Sequence, residues 1–547
     1  MLPDATDYED LRHQFSWAIP KFYNIGDDIC DKWAASRPED LALSFVDDGG
    51  AVSDFSFGEL RAESNRLANH LVADGVKRGE RVAILLGQVP ETALSHIAVY
   101  KIGAIAVPMS AQFGVEALLH RLSDSSASIL ITDREGVGKI ASSRAELPDL
   151  RSILAIDGVT GDARDFHRAI ANCSADFTTV LTRADDPAMI IYTSGTSGWP
   201  KGALHAHRTL LGHLPGIEMS HDLFPRPDDK IWTPADWAWA GGLLDVLLPA
   251  LHHGVPVVAR RFAKFSGEAA FDLICDQGIR NAFLPPTALK MMRAATDSGS
   301  RWNIQMRTVA SGGESLGAEL IDWGRTVLGV TINEFYGQTE CNMVISSCAV
   351  LMAPRPGIMG RPVPGHDVTV IDEGGRKCVA GEQGVIAVRR GDPVSFLGYW
   401  NNDRASREKY RGDWLITGDI GVLENDGWIR FVGRDDDVII SSGHRIGPGE
   451  IEDCLIGHEA VQMAAVVGKP DPTRTEIVKA YVMLNEGYVP GEHLAAEIAM
   501  HVKTRLAAHE YPREVAFVAT LPLTATGKVI RREMRDRARL EAESESA

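Results

Sequence analysis

The 547-residue chain has no C-x-x-C pair, and its seven cysteines (Cys30, Cys173, Cys275, Cys341, Cys348, Cys378 and Cys454) are odd in number and scattered. That argues against a disulfide framework and a cysteine zinc site, and fits reduced thiols in a cytoplasm. Long apolar runs are also lacking: the longest, Leu243 to Val258, is interrupted by Asp245, Pro249, His252 and His253, so no transmembrane helix is expected. The acidic N-terminal residues contain no apolar core of a secretory signal. No basic run offsets the formal net charge of −18, which argues against a nucleic-acid partner. Internal repeats, low-complexity linkers and heptads are absent as well.

What is present is a composition of 45% hydrophobic and 24% charged residues, in a chain long enough for two or more domains. The first part alternates strand-like and helix-like segments, as in Arg81 to Leu86 (strand), Ala93 to Gly103 (helix) and Ala104 to Pro108 (strand). Ser128 to Ile131, Arg151 to Ile156 and Val255 to Ala259 continue the pattern. Such βαβ punctuation predicts an α/β fold with parallel-rich sheets covered by helices. From Gly384 the chain turns β-rich, with strands expected at Val385 to Val388, Trp414 to Ile416 and Trp428 to Val432. The last hundred or so residues read as a small α+β domain, ending in an acidic tail, Glu541 to Ala547, expected to fray.

The chemistry concentrates in Tyr192-Thr193-Ser194-Gly195-Thr196-Ser197-Gly198-Trp199-Pro200-Lys201-Gly202, which follows the strand-like run Met189 to Ile191. A helix is expected from Ala203 to Leu214. Small hydroxyl residues and glycines between a strand and a helix leave N–H groups free to converge on phosphate, and Lys201 adds a point charge. The order Pro-Lys-Gly differs from the P-loop G-x-x-x-x-G-K-[ST].

Further motifs follow in order: Thr233 to Gly242 with two tryptophans among small residues, Ala310-Ser311-Gly312-Gly313-Glu314-Ser315, and Asn333 to Glu340 (N-E-F-Y-G-Q-T-E). The last two are expected at strand-to-loop positions, where ligands of open α/β sheets bind. Thr417-Gly418-Asp419 is expected in a turn between two strands. Gly433 to Glu452 combines a charged turn, a short β run and a Pro-initiated helix, which marks a domain boundary. Leu521 to Arg532 holds Thr526-Gly527-Lys528 near the end.

Together these segments resemble the adenylate-forming superfamily, with closest likeness to medium-chain acyl-CoA synthetases. The resemblance implies a large N-terminal domain (1–433) binding AMP and the acyl group, a hinge (434–437) pivoting at Asp436, and a mobile C-terminal domain (438–547). It implies a two-step reaction in which a carboxylate and ATP give acyl-AMP and pyrophosphate, and CoA then displaces AMP. Lys528 would be catalytic with Thr339, Glu340 and Arg445, and Glu340 would bind Mg2+. Thr193, Ser194, Gly195, Thr196, Ser197, Gly198 and Lys201 would form the ATP phosphate loop. Gly313, Glu314, Ser315, Glu334, Phe335, Tyr336, Gly337, Gln338, Asp419 and Arg434 would hold adenine and ribose.

The same likeness assigns Ser442, Gly443, His444 and Arg474 to CoA, although Glu510 stands where relatives often carry lysine. Trp239, Ala240, Gly241, Gly312 and Gly337 would line the acyl pocket, and their small members imply room for a medium-chain, branched or aromatic acid. A benzoate-type ligase and an adenylating enzyme that does not use CoA are the alternatives. A protein lysine acetyltransferase acting on Lys528 and a homo-oligomer are further expectations.

Overall fold

The βαβ punctuation is present in the computed structural model, which describes residues 1–193, 199–262, 264–296, 302–314, 316–441, 444–506, 510–524 and 528–546. Arg81–Leu85, Ile105–Met109, Ile129–Thr132 and Ser152–Ala155 are parallel strands of an eight-stranded sheet. Helix Pro90–Lys101 starts on a proline, whose missing N–H costs nothing at that position. It is buried on nearly all sides because it lies in the core between this sheet and a second one. The second, nine-stranded sheet runs parallel through Val257–Arg260, Asn281–Phe283, Thr308–Gly312 and Ile332–Gln338, with antiparallel strands at both edges.

A five-stranded antiparallel sheet follows, containing Val368–Ile371, Gln383–Arg389, Trp414–Leu423 and Ile429–Arg434. The last sheet contains Ile439–Ser441, His444–Ile446, Val461–Asp471, Thr475–Leu484 and Glu514–Phe517. Helices Pro448–Ile456, Glu492–Arg505 and Arg531–Ser546 accompany it. The fold is therefore α/β, with parallel-rich sheets first and a separate α+β unit at the C-terminal end. Among the described residues no helix is long and apolar enough to cross a membrane.

Four sequence expectations need correction. Ala203 does not open a helix: Lys201–Ala206 is a strand paired antiparallel with Pro187–Thr193, and the helix starts only at Thr209. Leu204 and the alanines favour helix locally, but the neighbouring buried strand offers a full ladder of backbone partners, and tertiary pairing wins. Asn333 to Gln338 lies within a strand rather than in the loop after it, and only Thr339 and Glu340 form the turn to Cys341–Ser346.

Thr417-Gly418-Asp419 is also inside a strand, Trp414–Leu423, at an irregularity where Val385 faces Ile420 but Ala387 faces Ile416. Gly418 adopts φ +80, so turn-type residues here build a bulge instead of a chain reversal. Finally, the acidic tail is helical through Ser546. Lys469 binds Glu514 at 2.8 Å and Glu545 at 2.7 Å, while Lys479 binds Glu541 at 2.5 Å. These lysines are almost wholly buried, and Glu514 together with the carboxylates of the tail compensates their charge.

Candidate active site

The phosphate-loop residues Ser194, Gly195, Thr196, Ser197 and Gly198 lie outside the described residues, as does Ser315. Their flanks, Thr193 and Lys201, face each other as the last pair of the antiparallel ladder. The loop therefore joins two strands, and no helix N-terminus follows it directly. Gly202 is dictated by packing, since a Cβ there would meet Ile190 at 2.6 Å and the Tyr192 ring at 3.2 Å.

Lys201 places its amine 5.3 Å from the centre of the Tyr399 ring. Tyr399 sits on Gly398–Tyr399, an edge strand paired with Lys201–Ala206, and its hydroxyl donates to Glu340 Oε1. Lys409 Nζ lies 3.8 Å from the same oxygen and donates to Gln338 Oε1 at 2.8 Å. Tyr399 and Lys409 were not legible as site residues; they become so only through the sheet pairing that carries them to Glu340. Glu340 Oε2 makes no hydrogen bond among the described residues.

The bulge aims Asp419 at the nucleotide-binding candidates. Tyr336 OH donates to Asp419 Oδ2 at 2.5 Å and Gln338 Nε2 donates to it at 3.0 Å. Arg434 stands opposite Asp419 on the paired strand. Burial pushes the Asp419 carboxyl up, and Tyr336, Arg434 and Lys409 pull it back down. Tyr336 is itself raised, first by burial and then by the Asp419 charge.

Lys528 reaches this group from the C-terminal unit. A Cβ built on Gly313, which has φ +90, would lie 3.4 Å from Lys528 Nζ. The lysine is exposed as a whole residue, and its amine lies against Gly313 among charged groups of both units. Burial of the amine lowers its pKa, which Glu314 and Asp419 raise and Arg434 and Arg531 lower further. Glu314 accepts from Thr287 Oγ1 at 3.2 Å. Glu334 is buried with Oε2 unpartnered, and burial pushes its carboxyl up to about 8. Asp453, on the helix Pro448–Ile456, is likewise pushed by burial to about 7, with Glu452 and Glu314 contributing and Lys290 opposing.

The acyl-pocket residues come together, with the Cβ directions of their three glycines already occupied. A Cβ on Gly312 would strike the Phe335 ring at 2.6 Å, one on Gly241 the Phe283 ring at 2.8 Å, and one on Gly337 the Met343 nitrogen at 2.3 Å. Aromatic rings and a neighbouring backbone take the positions that side chains on these glycines would occupy, so the missing side chains do not themselves open that space. Phe283 and Phe335 pack with centroids 5.2 Å apart, and Trp239 meets Phe113 edge-on at 5.5 Å. Ala240 opens the helical segment that carries Gly241.

On the C-terminal unit, Ser442 and Gly443 lie outside the described residues. Arg445 contributes backbone to the strand His444–Ile446, opposite Ile440. Ser441 pairs with Thr475, which brings the exposed His444 hairpin beside the Asp471 to Arg474 turn. Of the three aspartates before it, which form a turn, Asp435 and Asp436 are exposed and Asp437 is held by the last helix. Arg434 Nε reaches Asp436 Oδ1 at 3.2 Å, and Arg535 and Arg531, both on the last helix, reach Asp437. Arg531 also holds Glu452, through Nε at 3.0 Å. A cavity of about 390 Å³ lined by Ala5, Asp222, Arg226 and Arg307 shares no residue with this site.

The sequence matches the AMP-binding enzyme family over residues 30–400 and the AMP-binding enzyme C-terminal domain over residues 450–528. It is 35% identical over 535 residues to the mitochondrial acyl-coenzyme A synthetase ACSM4 of Homo sapiens, covering 95% of this chain and 91% of that protein. An acyl-CoA synthetase of Brucella canis is similar in structure, with a TM-score of 0.75, 34% identity and coverage of 98% of this chain and 100% of that one. The anthranilate CoA ligase AuaEII, solved in complex with anthranoyl-AMP, superposes with a TM-score of 0.87 at 30% identity, covering 96% of this chain and 99% of that one.

Proposed function

Because the chain belongs to the AMP-binding enzyme family and is an ATP-dependent, AMP-forming acyl-CoA synthetase, we propose that it activates a medium-chain, branched or aromatic acid and that Lys528 drives the first half-reaction. In that step the acid's carboxylate attacks the α-phosphorus of ATP, forming acyl-AMP and expelling pyrophosphate. In the second the CoA thiol attacks the acyl carbon and AMP leaves.

The observation that carries the role of Lys528 is the place of its amine, against Gly313 and near Asp419 and Glu314. Adenylation brings two anions together, so a fixed cation between carboxylate and α-phosphate lowers the barrier by charge neutralisation and by alignment. Thr193, Lys201 and the glycine-rich residues between them are the proposed phosphate loop. Tyr336 would lie against adenine, and Asp419 would accept from ribose hydroxyls with Gln338 and Arg434 fixing its direction. Phe283 and Phe335 give the acid an aromatic wall, which supports aromatic acids as well as aliphatic ones.

Among the described residues no three His, Cys, Asp or Glu side chains converge as metal ligands. A single carboxylate fits Mg2+, which commonly takes one or two protein carboxylates and fills its remaining positions with waters and substrate phosphates. Glu340 is the residue that would hold it, through the oxygen that Tyr399 and Lys409 leave free. Bound there with ATP, the ion would offset phosphate charge.

For thioester formation the unit 438–547 would turn about Asp436 within the hinge 434–437, relative to 1–433. That turn would withdraw Lys528 and bring Ser442, Gly443 and His444 to the thiol, with Arg445 and Arg474 toward phosphate or nucleotide. Seven free cysteines support a reducing, cytoplasmic setting. Acetylation of Lys528 by a lysine acetyltransferase would remove the charge that adenylation needs, and a homo-oligomer is the proposed assembly.

The deciding experiment separates the half-reactions. Lys528→Ala should lose most acid-dependent pyrophosphate release yet still convert supplied acyl-AMP and CoA to thioester. Equal losses in both assays would remove Lys528 from its proposed role.

A further inference from the structure

We infer that Asp245 and Asn342 form a polar recognition site at the far end of the acyl pocket, selecting acids whose chain or ring carries a hydrogen-bond donor, either hydroxyl or amine. This deepens the proposed function and rests on its placing of the acyl pocket.

A continuous line of contacts leads from the lysine to this pair. Lys528 Nζ abuts Gly313; the adjacent Gly312 backs onto the Phe335 ring; Phe335 packs on Phe283; and Phe283 closes on Gly241. A Cβ on Gly241 would lie 3.8 Å from Asp245 Oδ2, and one on Gly337 would lie 2.6 Å from Asn342 Oδ1. Two glycines assigned to the acyl pocket thus border one carboxyl and one amide. Asp245 lies in Leu243–Leu247, where the helix widens to a π turn closed by the Leu248 N–H on the Leu243 carbonyl. Such turns displace side chains from regular helical positions and recur at functional sites.

The pair is buried, with Asp245 only 2% exposed and Asn342 6%. Asn342 Nδ2 donates to Asp245 Oδ1 at 2.5 Å. Among the described residues Asp245 Oδ2 and Asn342 Oδ1 receive no hydrogen bond, and unlike the Oε2 of Glu334 neither is sealed from the adjoining space. A buried oxygen pair left open in an otherwise apolar wall asks for a partner, because unmet acceptors in the interior are costly. Asn342 Oδ1 is an acceptor throughout and asks for a donor, whereas Asp245 Oδ2 accepts when ionised and carries the proton when neutral, since Oδ1 already accepts from Asn342. Burial holds the Asp245 carboxyl well above its ordinary range, with the Asn342 hydrogen bond opposing. A hydroxyl would donate to Asn342 Oδ1 and accept the proton of the neutral carboxyl, and an ammonium would draw that carboxyl into its ionised form; either way the ligand's polar group is compensated. A purely structural clamp between helix and strand would be indifferent to the acid supplied.

The test measures kcat/KM for acid-dependent pyrophosphate release with benzoate and octanoate against their hydroxy- and amino-substituted forms, in wild type and in Asp245→Asn. A site built to pair a polar group rejects analogues lacking it far more strongly than an apolar pocket rejects a changed methylene. At least one substituted acid should therefore exceed its parent by about ten-fold or more, and Asp245→Asn should cut that ratio by about ten-fold or more. The hydroxy and amino series show which donor is taken, and a melting curve of Asp245→Asn confirms that the variant is folded. If it is not, Asn342→Ser is measured in its place. Parents preferred over every substituted form in the wild type, or a ratio unchanged in the folded variant, would overturn the inference while leaving the reaction intact. No release with any acid would instead sink the placing of the acid site, and this inference with it.

Discussion

Replacing Glu334 with glutamine should make the protein more stable at neutral pH and leave it unchanged in acid. The carboxyl sits in the strand Ile332–Gln338, only 8% exposed, with one oxygen accepting from the Leu316 N–H at 3.4 Å and the other unpartnered. Burial, the largest cause, lifts its pKa from 4.5 to about 8, and the nearby Asp453 adds to the rise. In the unfolded chain the group ionises near 4.5, whereas the folded protein keeps it protonated until about 8. Between those values the folded state binds more protons than the unfolded one, so stability falls as pH rises.

The loss is about 1.4 kcal/mol per pH unit across that window, which amounts to roughly 3 kcal/mol by pH 7 and levels off above pH 8. Glutamine keeps the acceptor for Leu316 and has no proton to lose. Urea unfolding of both proteins from pH 4 to pH 8 should therefore show a gap opening steadily in favour of Glu334→Gln. A gap that is constant with pH, or that opens toward acid, would refute the reasoning.

Three further outcomes follow from the same coordinates. The adenylation half-reaction should decline on the alkaline side as Lys528 loses its proton, at a pH below the 10.5 of a free lysine, because burial of the amine is the largest influence on it; a single-turnover pH profile tests this, and Lys528→Ala should lack that limb. Gly337→Ala should destabilise the fold by about 1–3 kcal/mol, since the added carbon meets backbone at 2.3 Å; thermal melts read it, and an unchanged midpoint would show the space to be open. Asp436→Pro removes no hydrogen bond from the described backbone, so it should slow thioester formation more than pyrophosphate release; equal slowing would move the pivot elsewhere.

Much of the architecture was readable because its signals are local or strongly ordered. Strands such as Ile105–Met109 are short apolar runs between helices, and Pro448 starts its helix as its position suggests. The misreadings share one cause, which is that the deciding contact is distant in sequence. Lys201–Ala206 looks helical until Pro187–Thr193 offers it a ladder. Thr417-Gly418-Asp419 looks like a turn until Gln383–Arg389 holds both sides of it in one strand. Small residues at Gly241 and Gly312 do not themselves open space, because the rings that meet them, Phe283 and Phe335, come in from other strands. The candidate residues Lys528, Asp419, Tyr336 and Glu340, expected from sequence, lie in one region; Tyr399 and Lys409, which contact Glu340, carry no local mark at all.

The last helix has one further consequence. At its start Arg531 and Arg535 grip Asp437 beside the proposed pivot, and toward its end Glu541 and Glu545 are anchored on Lys479 and Lys469. It therefore ties the segment of the proposed pivot to the sheet behind it. Bulky additions to its far turn, or removal of those glutamates, should be felt at the proposed joint about 20 Å away along the helix, as a changed ratio of the two half-reactions rather than as loss of both.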